Sequence, residues 1–185
     1  SGSTAEVSTA IKELGSIRLF DLDGDGVREI YIDGKDANGQ AITCAAFYSA
    51  GEAQPLHLAL FDSQSYAQGS IKEFADSKLI LDTEMNILGT YKVKNVYALA
   101  DKSFSKASDD IVFDNNTTYV TTSKSITLSN GSLLATGTKL RFTSTDGSSV
   151  INFVTDGGFT GSIPIARAIR TKRSLQTCRS MKNEK

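Results

Sequence analysis

Glycine turns cut residues 119–165 into segments too short to make helices. Asn130-Gly131, Thr136-Gly137, Asp146-Gly147 and Asp156-Gly157-Gly158 each offer a tight reversal, because glycine enters the positive-φ conformations of hairpin turns at no steric cost. Between them lie Tyr119–Thr122, Ile126–Leu128, Leu133–Ala135, Lys139–Ser144, Val150–Thr155 and Phe159–Ile165. β-Branched and aromatic residues recur in these segments, which suits a pleated, half-buried surface. Strands this short and evenly spaced predict a small barrel or a sandwich. Two Pro, no Trp, 15 Gly and an apolar fraction of 39% are compatible with such a fold and with a real core.

The first part of the chain is more mixed. Ser3-Thr4-Ala5-Glu6 has the form of a capping box, and Val7, Ile11 and Leu14 follow at helical spacing before Gly15, so a short helix is predicted over 4–14. From Ser16 the period becomes two: Ile17 and Leu19, then Ile30 and Ile32, then Ile42, Cys44, Ala46 and Tyr48, then Leu56, Leu58 and Leu60. Asp36-Ala37-Asn38-Gly39 is a turn. Residues 70–74 are read as a helix, Leu79–Leu81 and Tyr91–Tyr97 as strands, and Ala98–Ser108 as a weak helix or loop. The predicted class is therefore mainly β (α+β). A β-rich domain spans 1–114, a second β domain 115–166, and a basic tail, expected to be disordered, 167–185. Seven basic residues and one acid fall in 166–185, leaving thirteen basic and twenty acidic residues in the rest.

Asp21-Leu22-Asp23-Gly24-Asp25-Gly26-Val27-Arg28-Glu29 is the stretch with chemistry in it. Ca²⁺ is a hard cation that takes six to eight oxygen ligands. Carboxylates at alternate positions converge on one point if the chain turns sharply, and Gly26 permits that turn. Asp21, Asp23 and Asp25 would supply side-chain oxygens, Val27 its carbonyl, and Glu29 would close the shell. A helical EF-hand needs its bidentate Glu at the twelfth position, which here is Ile32. The acid falls instead at the ninth position, in a segment with strand character, so the loop reads as strand–loop–strand. Over residues 17–33 it resembles the calcium loop of FG-GAP repeats, found in integrin-type and bacterial surface proteins. The resemblance implies a structural Ca²⁺ that pins two strands together. A single such loop does not make a propeller.

Leu133-Leu134-Ala135-Thr136-Gly137-Thr138-Lys139-Leu140-Arg141-Phe142, followed by Asp156-Gly157-Gly158-Phe159-Thr160-Gly161-Ser162-Ile163, gives Thr117–Ala166 a second likeness. This stretch resembles bacterial SH3-like domains, small β-barrels of secreted, wall-associated proteins. The resemblance implies a non-catalytic module for cell-wall polymer, glycan or peptide, with Tyr119, Phe142 and Phe159 as candidate contacts. It also implies an extracellular or cell-surface location. No secretory signal is read in the chain, whose Ser1-Gly2 has the look of a cloning remnant.

Other chemistry finds little support. His57 is the sole histidine and no Gly-x-Ser-x-Gly elbow accompanies it, so no catalytic residue is assigned; it is expected exposed or paired with a nearby acid. Cys44 is expected buried and Cys178 free, and the two are too few for a zinc site. Asp62, Asp82, Glu84, Asp109 and Asp110 leave open a carboxylate-dependent hydrolase, since spacing in sequence does not reveal spatial separation. The basic tail has no interleaved aromatics, which disfavours nucleic acid. No run approaches the ~20 apolar residues of a membrane-spanning helix.

Overall fold

The computed structural model describes residues 5–87, 90–114 and 119–165, and the backbone of 175–177. It is mainly β with almost no helix, and it divides into two compact units. Residues 1–83 and 94–108 make up unit 1; residues 84–93 and 109–185 make up unit 2.

In unit 1, strands β1 (Glu13–Phe20), β2 (Glu29–Lys35), β3 (Ala41–Tyr48) and β4 (Leu56–Leu58) form an antiparallel sheet in that order. The short β6 (Ala67–Gln68) pairs with β3 as well. A second set comprises β5 (Leu60–Phe61), β7 (Ser70–Ala75), β8 (Lys78–Asn86), β9 (Thr90–Ala100) and β10 (Ser103–Lys106). Here β7 pairs with β8, β8 with β9, β9 with β10, and β10 runs parallel to β5. Alternation sends Tyr31, Ala45 and Phe47 of the first sheet into one core with Ile71, Leu79, Leu81, Tyr97 and Phe104 of the second. The divisions between units fall inside β8 and β9.

Unit 2 is built on the meander β15 (Lys139–Thr145), β16 (Val150–Thr155) and β17 (Thr160–Pro164). Alongside β15 lie β11 (Ile111–Phe113) and β12 (Val120–Thr122). A hairpin joins β13 (Ile126–Thr127) to β14 (Leu133–Leu134), and β18 (Leu175–Thr177) pairs with β12. Phe113, Leu140, Phe142, Ile151, Phe153 and Ile163 fill the core.

Several expectations are corrected. Residues 5–12 are not helical, and β1 begins at Glu13. The segment instead lies along the sheet: Lys12 N–H donates to the Lys35 carbonyl at 2.8 Å, and the Ile11 side chain occupies the space over Gly34. Contact with the sheet outweighs a weak helical preference. The helix predicted at 70–74 is β7, and Ala98–Ser108 forms most of the β9–β10 hairpin. No closed barrel forms among the described residues. Cys178, the Asn115–Thr118 segment and the basic tail apart from Leu175–Thr177 lie outside the described residues.

Candidate metal centre

The β1–β2 hairpin closes with Phe20 opposite Glu29, so Asp21–Arg28 is the loop that joins the strands and Glu29 opens β2. Carboxylate oxygens of Asp21, Asp23, Asp25 and Glu29 come within 4.8 Å of one another. Among the described residues, no other group of three or more such side chains comes together in this way.

The loop's own backbone shapes it. Asp21 accepts from Gly24 N–H through Oδ1 at 2.8 Å and from Gly26 N–H through Oδ2 at 3.0 Å. Asp23 Oδ1 accepts from Asp25 N–H at 3.2 Å, and Asp25 Oδ1 accepts from Val27 N–H at 2.7 Å. These bonds are possible because Gly24 and Gly26 sit at φ +77° and +87°, where a side chain is strained. A Cβ at either position would meet nothing within 4 Å, so the demand for glycine is conformational. Val27, expected to offer its carbonyl, lies in the same turn and is exposed.

Leu22 and Glu29 tie the loop to the body of unit 1. Leu22 is 3% exposed and belongs to the core; as a spacer between two aspartates it attracted no notice in the sequence, although an apolar residue in an acidic run is itself a signal. Glu29 is also buried. Its Oε2 accepts from Leu22 N–H at 2.9 Å and from the Tyr31 hydroxyl at 3.0 Å. Both hydrogen bonds fall on one oxygen, which turns the other away from those donors. Burial holds the Glu29 carboxyl above its ordinary value; the bonds from Leu22 and Tyr31 oppose that rise, and the charges of Asp23 and Asp21 add to it. Tyr31 is wholly buried and is pushed up as well, by burial first and then by the Glu29 charge.

The donor set is hard oxygen throughout, which fits Ca²⁺ or a similar cation and not zinc or copper. Such an ion would be held by Asp21, Asp23, Asp25 and Glu29. It would supply the positive charge that this crowded, partly buried group of acids lacks.

The remaining candidates are scattered. His57 is exposed and pairs with Glu52 at 2.7 Å. Asp82 pairs with Lys72 at 3.3 Å, Asp62 occupies a turn at φ 46°, and Glu84, Asp109 and Asp110 are exposed. A depression of about 520 Å³ beside residues 5–8 and 53–55 contains one carboxylate, Glu6, not the pair that glycoside cleavage requires. Cys44 is buried and unpaired, and burial raises its thiol. Of the three aromatics, Phe142 is core at 2% exposed, while Tyr119 and Phe159 remain 42% and 50% exposed. Comparison with known proteins returns no matching family model, no matching curated protein and no matching solved structure.

Proposed function

We propose that this chain is a non-catalytic binding module whose β1–β2 hairpin is locked by a structural calcium ion. The observation that carries the reading is the meeting of four carboxylates within 4.8 Å, one of them buried. Like charges this close raise the free energy of the folded state, and a bound cation reverses the sign of that contribution. An ion held by Asp21, Asp23, Asp25 and Glu29 ties the turn to the first residue of β2. The site is small and two of its acids, Asp23 and Asp25, are exposed, which suits the weak affinity of extracellular modules, on the order of 0.1–1 mM. With that affinity goes the proposal of a secreted or cell-surface setting, where calcium is abundant.

The proposed partner is a cell-wall polymer, a glycan or a peptide, engaged by the exposed rings of Tyr119 and Phe159. Aromatic rings left in solvent supply flat apolar area, and Tyr119 adds a hydroxyl that can hydrogen-bond. The calcium reading is tested by thermal unfolding in chelator, in calcium and in magnesium. Calcium at ~100-fold over its dissociation constant stabilises by ~2.7 kcal/mol, which for a protein of this size raises Tm by roughly 5–10 °C. An equal response to magnesium would reduce the site to nonspecific charge relief. For the partner, retention on wall polymer that is lost in a Tyr119→Ala, Phe159→Ala double variant supports the reading; equal retention removes it.

A further inference from the structure

We infer that the free edge of β1 is a self-association surface, pairing antiparallel with β1 of a second copy of this chain about a two-fold axis. Strand β1 lies at the end of its sheet and pairs only with β2 among the described residues. Yet Leu14, Ile17 and Leu19 are 61%, 58% and 57% exposed. A long, apolar, unpaired edge is an open template for another strand.

The occupant is identified by the strand's own pattern. A register shift between Leu14 and Ser16 interrupts β1, so Leu14, Ile17 and Leu19 share one face. They stand opposite Gly34, Ile32 and Ile30, the more exposed positions of β2. Glu13 and Arg18 point to the other face, opposite Lys35 and Tyr31. If two copies of β1 pair with their centres between Gly15 and Ser16, Leu14 of each meets Ile17 of the other, and Glu13 meets Arg18. Directly opposed residues in an antiparallel pair must lie on the same face, and both pairs satisfy that condition. Apolar meets apolar, and acid meets base, twice over by symmetry. A two-fold interface has to be self-complementary in this way.

Within one chain, Glu13 contacts Lys35 at 2.9 Å and Arg18 approaches Asp33 at 3.9 Å. The Glu13 and Arg18 side chains are 68% and 41% exposed, so both can also reach across the edge. An interface one strand long falls at the small end of specific interfaces, and its affinity belongs in the micromolar to millimolar range.

Sedimentation of the full chain from micromolar to millimolar concentration tests the inference, with a melting curve for each variant as a check on folding. The wild type should pass from monomer to dimer. Glu13→Arg and Arg18→Glu, each of which sets like charges face to face, should weaken association at least about tenfold. The double variant should restore it. Leu14→Lys with Ile17→Lys alters only exposed side chains, leaves folding intact and should abolish the dimer. A chain that stays monomeric at millimolar concentration overturns the inference, as does a dimer indifferent to these changes. Failure of the double reversal to rescue, with its melting curve unchanged, overturns the register.

Discussion

At the turn between β15 and β16 a single carboxylate, Asp146, accepts from the backbone N–H groups of Ser148, Ser149 and Val150 at 3.0, 2.8 and 3.0 Å and from the Ser149 hydroxyl. In the loop between β1 and β2, four carboxylates share one small volume, and the one that is buried is crowded by two others. The hydrogen bonds from Ser149, Val150 and Ser148 hold Asp146 well below the usual carboxylate range, whereas burial raises Glu29 from its ordinary value. Both are acidic turns with glycine at positive φ. A turn with one acid is satisfied by the backbone it folds; a turn with four has more charge than its N–H groups can balance.

Replacing Glu29 separates these two regimes most sharply. Glu29→Ala strips the acceptor from Leu22 N–H and the Tyr31 hydroxyl, costing about 1–3 kcal/mol for each buried donor left unpaired, and the calcium-dependent rise in Tm disappears. Glu29→Gln keeps an acceptor and discards the charge. It should also lose the calcium response, yet melt in chelator no lower than wild type. A Gln variant that melts far lower in chelator would mean that the charge itself stabilises the apo fold, against the comparison above.

Calcium removal comes next, with the loss of ~2.7 kcal/mol described above. An Asp146→Ala variant should show that same calcium-dependent difference undiminished. Gly26→Ala follows: at φ +87° with open space around it, it should lose about 1–2 kcal/mol from backbone strain alone, in chelator and in calcium.

The smallest effects are in pH. In chelator, folded Glu29 holds its proton to higher pH than the unfolded chain does, so the folded state binds more protons in that interval. Its contribution is greatest below the ordinary value of 4.5 and is lost as pH rises through the raised folded value. Asp146 runs the other way: its contribution is present above the ordinary value of 3.8 and is lost as pH falls below it. Denaturant titrations in chelator across this range should show the Glu29 decline in wild type and not in Glu29→Gln. Asp146→Ala should flatten the acid limb and lower Tm by a few degrees regardless of calcium.

The turns also account for which elements could be read in advance. In residues 119–165 the reversals carry glycine at Gly131, Gly137, Gly147 and Gly158, all at positive φ, and the strands between them lie close to where that punctuation set them. Among the described residues of 60–106, the turns at Asp62-Ser63, Asp76-Ser77 and Asp101-Lys102 are positive in φ with no glycine at those positions. Asp tolerates that conformation less readily than glycine does, and a helix surface carries Asp, Ser and Lys equally well. So β7 read as a helix, and Ala98–Ser108, the end of β9 with the turn and β10, as a weak helix or loop. Asp followed by a polar residue between two alternating runs was the available signal.

For the candidate site, the alternating aspartates, the glycines between them and the ninth-position acid were all plain in the chain, because a loop of this kind is organised by hydrogen bonds spanning two to five residues. Its attachment to the core was not. Glu29 becomes a buried carboxylate held by the Leu22 N–H and the Tyr31 hydroxyl, and the positions of Leu22 and Tyr31 depend on packing against β7, β8 and β10.

Local hydrogen bonding and a period of two therefore determined, from the residues alone, that the chain is built of strands and that Asp21–Glu29 folds back on itself. Tertiary structure decided that residues 5–12 are not helical and that Ile11 and Lys12 contact the sheet, that residues 84–93 join a unit completed after residue 109, and that β1 is left at an edge with apolar side chains in water. Each of those outcomes depends on which strands pair across long stretches of sequence. Strand pairing is settled by burial and sheet registry, which no short window of sequence contains.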